Sequence, residues 1–387
     1  MDNRLTPTTT AAAVAAPSQT AGNFGATIIK HAQQLEALAE LKFLLDHGQG
    51  YELICLVGPT GVGKSTLASR LLADVLAREQ PAMAEDRDYV PVISTVAIAS
   101  GHRAFDWKVL YHDALQAIGD PFVNDRRPTP ETRAQQLKHV GESLTAAALR
   151  LRLVEEVRRR GLKYWFIDEA QHILMGARAG GAGDQYDVLK SVAQSCGVKL
   201  VLIGTYQLLI HLQVSAQLAR RTEVVHFGRY GFDDAEGKNN FASCVQGFLK
   251  RSGAEIVPDV RTHIEFFYAG AVGCAGILKD WCARALSRAQ MEGRRDLRIE
   301  DFRHTRLSGM AIKRIVADIH TGEELLSRDS DRRIQNLVLG KSGAARPVSV
   351  SKSAVAGKAP SKGVGLRSPT RDPVPSEPGG LIGGGHA

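Results

Sequence analysis

Residues 53–66 read LICLVGPTGVGKST, and no other stretch narrows the possible folds so far. An apolar run, Leu53 to Val57, breaks at Gly58. GPTGVGKS follows as far as Ser65, and a helical pattern opens at Thr66 and continues to Leu76. Strand, glycine-rich turn and helix start are the setting in which a G-x-x-x-x-G-K-[ST] string cradles phosphate. The glycines let the backbone curl so that successive N–H groups face one anion, and the helix N-terminus adds its partial positive charge. The expected nucleotide-binding residues are Gly58, Pro59, Thr60, Gly61, Val62, Gly63, Lys64, Ser65 and Thr66. Lys64 would reach the outer phosphates of ATP, and the Ser65 hydroxyl would hold Mg2+.

Further apolar runs supply the partners of that first strand. Residues 90–99 (VPVISTVAIA) are β-branched and read as the second strand. KYWFIDE, 163–169, carries four apolar residues into the paired carboxylates Asp168 and Glu169. In a parallel sheet the carboxyl ends of the strands face the ligand crevice. That puts Asp168 beside the phosphate loop as a magnesium holder and Glu169 where it orients or deprotonates an attacking water. Asp is also a good helix cap, and a buried strand followed by a cap has the same residues. KLVLIGT, 199–205, is another buried strand. Thr205 at its end can bond the γ-phosphate or the attacking water, or simply cap a helix. Arg220 and Arg221 end a helical stretch before a β-rich run, 223–227. Either guanidinium could reach a neighbouring subunit's γ-phosphate, or complement a helix dipole.

Helical spacing predicts helices over 28–47, 105–118, 132–160 with breaks, 186–196 and 208–219, with a turn at 100–103 and a flexible loop at 177–184. After residue 233 the pattern turns helical throughout: 233–251, 257–269, 276–293, a short 297–304 segment beginning with a possible strand, and 310–326. The expected fold is therefore α/β, a parallel sheet flanked by helices with a small all-helical lid. It divides into an N-terminal arm (1–27), a nucleotide-binding α/β domain (28–232), the lid (233–327) and a tail (328–387).

With 387 residues, 44% apolar and 23% charged, the chain has the balance of a globular protein that keeps a sizeable core. No apolar run approaches the roughly 20 residues of a membrane helix, and the Ala/Thr-rich start lacks the sustained apolar core of a signal peptide. Five scattered cysteines without C-x-x-C pairs point to a reduced, cytoplasmic protein without structural zinc. The net charge is +8, and residues 341–387, with seven basic and two acidic side chains in a Gly/Pro/Ser-rich background, carry five of those charges. The arm and tail have the composition of disordered segments.

Taken in order, phosphate loop, second strand, DE pair, strand ending in Thr205, arginine pair and helical end resemble AAA+ ATPases. GPTGVGKST, IDEAQHIL (167–174), LIGT, LARR (218–221) and above all GCAGILKDW (273–281) resemble the transposition regulators of the TnsC/TniB type, relatives of MuB. The resemblance spans about residues 28–327. It implies an ATP- and Mg2+-dependent ATPase that assembles as a ring or helical filament on duplex DNA. It also implies recruitment of a DDE transposase, work with a target-selection protein of the TniQ/TnsD type, and disassembly on hydrolysis. Carried over, Asp168 and Glu169 are Walker B, Thr205 matches sensor 1, Arg220 or Arg221 matches the arginine finger, and Lys279 falls near sensor 2. The wider class favours Asn and Arg at those two sensors. In this family the loop and helix after the second strand line the DNA channel, which makes Arg103 and Lys108 candidate, sequence-neutral phosphate contacts. A secretion-type ATPase and a nucleotide-held adaptor scaffold are the competing readings. The first would be expected to bring a membrane span or peptidoglycan-binding region, and the intact DE pair argues against the second.

Overall fold

Buried on both faces, a central strand of a parallel sheet must be apolar at nearly every position. β1 (Leu53–Val57), β3 (Tyr164–Asp168) and β4 (Lys199–Gly204) meet that requirement: β1 is buried throughout, and the other two are buried except at a terminal residue. In the computed structural model they lie in one parallel sheet with β2 (Val92–Val96) and β5 (Thr222–His226), in the order β2-β3-β4-β1-β5. The structure describes residues 24, 32–48, 50, 52–99, 105–120, 145–175, 182–212, 220–326, 335, 336, 338 and 339.

Because side chains alternate along a strand, each strand feeds two cores. Cys55, Val57, Trp165, Ile167, Leu200 and Leu202 join one apolar cluster; Ile54, Leu56, Tyr164, Phe166, Val201 and Ile203 join the other. Helices α1 (Ala32–His47) and α2 (Lys64–Glu85) cover the second cluster through Leu38, Leu41, Leu44, Leu67, Leu71 and Val75. The first is covered by α3 (Trp107–Ile118), α4 (Ala146–Arg159), α5 (Gln171–Met175), α6 (Ala182–Cys196) and α7 (Gln207–Leu212). All five cysteines are free and buried, and burial alone pushes the Cys55 thiol up to about 12, which makes it a packing residue.

The helical end comprises α8 (Ala235–Arg251), α9 (Ile264–Ala271), α10 (Ala275–Met291), α11 (Ile299–Thr305) and α12 (Gly309–Leu326). Its centre is Trp281, 1% exposed, with Phe266, Phe267 and Phe302 around the ring and its indole N–H donating to Phe302 O at 2.8 Å. Gly270 has no room for a side chain: a Cβ there would stand 2.1 Å from the indole. Each such aromatic contributes about 2–3 kcal/mol by burial. Past β5, Arg229 pairs with Glu323 of α12 at 3.0 and 3.1 Å, and Gly322 lies under the Tyr206 ring, so the last helix is seated on the end of β4.

Several boundaries differ from the sequence reading. α2 runs past Leu76 to Glu85 with Pro81 inside it; that turn is exposed, so water can serve the carbonyl that proline leaves without a donor. β2 is held to five residues of the expected ten, as an edge strand entered from Pro91. α6 starts at Ala182, inside the expected loop. The 257–269 helix begins only at Ile264, because Pro258 and an Asp259 turn, which accepts from the Arg261 and Thr262 N–H groups, occupy the preceding residues. Where a strand was expected near Leu297 there is a single bridge, Ile256 to Asp296, and then α11. The turn at 100–103 and the 132–144 part of a predicted helix lie outside the described residues.

By contacts the chain divides into 1–327 and 328–387. In the second unit Leu339 N donates to Gln335 O at 2.9 Å, one helical turn. No helix among the described residues is long and apolar enough to cross a membrane.

Candidate nucleotide site

The chain leaves the sheet at Gly58 because nothing larger fits: a Cβ there would lie 2.1 Å from the Phe227 carbonyl oxygen. Gly61 and Gly63 then take φ of 71° and 112°, the left-handed region open to glycine. The loop so formed delivers Lys64 as the first residue of α2. Its Nζ donates to Gly58 O at 3.0 Å and Pro59 O at 2.8 Å. Burial lowers the Lys64 pKa to about 8, while the Glu169 and Asp168 carboxylates pull it the other way. Ser65 is exposed and Thr66 half-buried on the first turn.

Facing the loop, β3 delivers the carboxylates. Asp168 Oδ1 accepts from Glu169 N at 2.8 Å, and the Asp168 carbonyl accepts from Ala97 N. Glu169 has φ of 52°, uncommon for a residue with a side chain, and this bend turns its half-exposed carboxylate out of the strand line. From β4, Thr205 N donates to Gln171 Oε1 at 3.3 Å, and its Oγ1 is buried without a hydrogen-bond partner among the described residues. Such an orphan costs about 1–3 kcal/mol, and a phosphate or water oxygen would satisfy it. Carbonyl-held ammonium, curled glycine loop, hydroxyl and paired carboxylates are a donor and acceptor set that fits ATP with Mg2+.

The helical end packs directly on this loop. Ile277 N, in the first turn of α10, donates to Gly61 O at 3.0 Å, and a Cβ at Gly276 would stand 2.3 Å from that same oxygen. The Gly276→Ala variant is expected to lower Tm by about 5 °C, because the clash is with backbone and the lid must shift. Thermal unfolding checks this, and an unchanged Tm would show that the contact is slack. Lys279 is half-buried two residues on and, among the described residues, makes no hydrogen bond or ion pair.

The arginine pair sits elsewhere. Arg221 Nη1 bonds Glu52 Oε1 at 2.9 Å, immediately before β1, so it is committed within its own chain. Arg220 is exposed. Both precede β5, at the end of the sheet away from the phosphate loop and separated from its crevice by a strand of about 16 Å. Lys108 is the second residue of α3, its backbone N–H capped by Asp106 at 3.0 Å, while Arg103 lies outside the described residues.

Sequence reasoning missed Gln171, Gly276 and the Arg229–Glu323 pair. Gln171 stood in the DEAQH string and Gly276 in GCAGILKDW, but neither residue type announces a contact. Arg229 and Glu323 are 94 positions apart, and no local pattern joins them.

A family model described as AAA domain matches residues 32–211. No curated protein sequence matches the chain. Among solved structures, the Aeropyrum pernix ORC1 protein in complex with DNA aligns at a TM-score of 0.50 and 18% identity, over 72% of this chain and 65% of that one. The chain thus spans less than two thirds of that relative's length. Cdc6p from Pyrobaculum aerophilum aligns at 0.48 and 16% identity over 73% and 69%, and domain III of the Thermotoga maritima replication initiation protein DnaA at 0.43 and 13% over 75% and 97%. The likeness to ORC1 is one of fold, while the AAA match covers the phosphate loop, both carboxylates and Thr205. On these grounds the chain has the AAA+ P-loop fold, and its glycine loop, Lys64, Ser65 and paired carboxylates form a set that fits ATP with Mg2+.

Proposed function

We propose that this chain is an ATPase that regulates transposition: it assembles with ATP on target duplex DNA, links a TniQ/TnsD-type target-selection protein to a DDE transposase, and comes apart on hydrolysis. The observation that carries the reading is the GCAGILKDW segment. Its Ile277 bonds the phosphate loop at Gly61, so the string most particular to the TnsC/TniB type stands where the lid can sense nucleotide. The AAA+ fold is shared with ORC1, a protein solved in complex with DNA, and that is consistent with a duplex partner.

In this reading residues 28–232 form the nucleotide domain and 233–327 the lid. The backbone of Gly58, Pro59, Thr60, Gly61, Val62 and Gly63 wraps the phosphates, with Lys64 on the β- and γ-phosphates and Thr66 beside them. Ser65 and Asp168 would hold Mg2+, which when bound neutralises phosphate charge. Glu169 takes the proton of a water whose oxygen attacks the γ-phosphorus; the bond to the β–γ bridging oxygen breaks, and ADP leaves with its electron pair. Thr205 fixes the γ-phosphate or the water, and Lys279 approaches when the lid shifts. Arg220 serves a neighbour's nucleotide, since Arg221 is held by Glu52 and neither can reach its own loop. Arg103, Lys108 and the basic tail contact DNA phosphates, which makes binding salt-sensitive.

Electron microscopy of the full chain with a non-hydrolysable ATP analogue and long duplex tests this. Collars or filaments are expected for the wild type, and Arg220→Ala is expected to bind nucleotide yet lose DNA-stimulated hydrolysis. A wild-type chain that stays monomeric at saturation sinks the proposal.

A further inference from the structure

Between the ends of β3 and β4 lies a side chain without an assigned role. Gln171 is 5% exposed, the first residue of α5. Its Nε2 donates to Glu169 Oε2, and its Oε1 accepts from Thr205 N at 3.3 Å. One buried amide thus joins the carboxylate at the end of β3 to the backbone after β4. Room for it comes from Gly204: a Cβ at that position would lie 2.4 Å from Gln171 Oε1. Glu169 needs such a tether. Its backbone is in the left-handed region, its side chain is half exposed, and His172 Nε2 stands 4.0 Å from its Oε2.

We infer that Gln171 is a positioning residue for hydrolysis, a brace that sets the Glu169 carboxylate against Thr205. This rests on the reading of Glu169 as the residue that takes the water's proton. With Oε2 occupied by the amide, Oε1 is the oxygen left to face water, and the carboxylate and Thr205 hold a fixed separation. A misplacement of about 1 Å in such a group costs about a hundredfold in rate. The amide must donate to a carboxylate and accept from an N–H at once, a pair of demands that Gln meets and that Glu or Met does not.

The test compares wild type with Gln171→Met, which keeps length and apolar volume, Gln171→Glu, which keeps the acceptor for Thr205 but sets a carboxylate against Glu169, and Gly204→Ala, which crowds the amide without removing it. For the first two, kcat should fall about 10- to 100-fold while ATP dissociation constants stay within about twofold of wild type. Gly204→Ala should move kcat in the same direction. ADP with aluminium fluoride, which mimics the transferring phosphoryl group, should bind more weakly to Gln171→Met, and ADP with beryllium fluoride should bind as to wild type. A merely structural role would weaken both complexes alike, and that result overturns the inference, as does a wild-type or raised kcat in Gln171→Met. Glu169→Gln is run alongside: if it hydrolyses normally, the reading of Glu169 itself fails, whereas loss in Glu169→Gln with normal Gln171→Met turnover removes the brace alone.

Discussion

Replacing Lys64 with alanine is expected to weaken ATP binding by about a hundredfold or more, with the fold retained. Charge-assisted hydrogen bonds contribute about 1.5–3 kcal/mol each, and this ammonium offers several to the outer phosphates at once. It already stands in a site prepared for anions, bonded to Gly58 O and Pro59 O beside the glycine loop. Titration of a fluorescent ATP analogue measures the loss, and an affinity within threefold of wild type at unchanged Tm contradicts the role, since it would leave under about 0.7 kcal/mol for the charge. The same residue makes binding pH-dependent. Burial holds its pKa at about 8 without nucleotide, and phosphates raise it by favouring the charged form. Below pH 8 the lysine is already charged and contributes no pH dependence. Above pH 8 binding takes up a proton, so affinity should fall by up to about tenfold per pH unit until the pKa of the complex is reached. Calorimetry in buffers of different ionisation enthalpy reads that proton directly.

Glu169→Gln separates binding from turnover. General-base help is worth about a hundred- to ten-thousandfold, so kcat is expected to fall by about a thousandfold, or about 4 kcal/mol of barrier. The amide keeps the size of the side chain, and the bond from the residue's backbone N–H to Asp168 is untouched, so ATP affinity should hold. If assembly on DNA follows nucleotide state, this variant should load with ATP and stay loaded, which a DNA-retention assay with added competitor duplex would show. Phosphate release within tenfold of wild type would move the proton acceptor elsewhere.

Much of this site could be read from local pattern. GPTGVGKS lies between an apolar run and a helical period, and a loop of glycines in that setting has one well-defined geometry. The carboxylates at 168 and 169 end a buried run, so their place at the crevice follows from strand polarity. Other parts carried no local signal. A glutamine after DEA reads as an ordinary helix residue until β4 arrives beside it. Nothing in LARR distinguishes Arg220 from Arg221 until Glu52 is seen to occupy the second. Pro81 and Pro258 pulled in opposite directions: the first sits inside a helix whose exposed turn lets water serve the freed carbonyl, while the second delays one.

What the amino-acid order alone determined was the place of the five sheet strands along the chain, the phosphate loop and the pair of acids, because each depends on residues within about ten positions of one another. The tertiary structure decided the strand order that places β1 between β4 and β5, the docking of Gly276 and Ile277 on Gly61, and the amide that spans Glu169 and Thr205. Those contacts join segments 34 to more than 200 residues apart. They form only when packing of the two apolar faces brings strand ends together, since a single hydrogen bond is too weak to close such loops on its own.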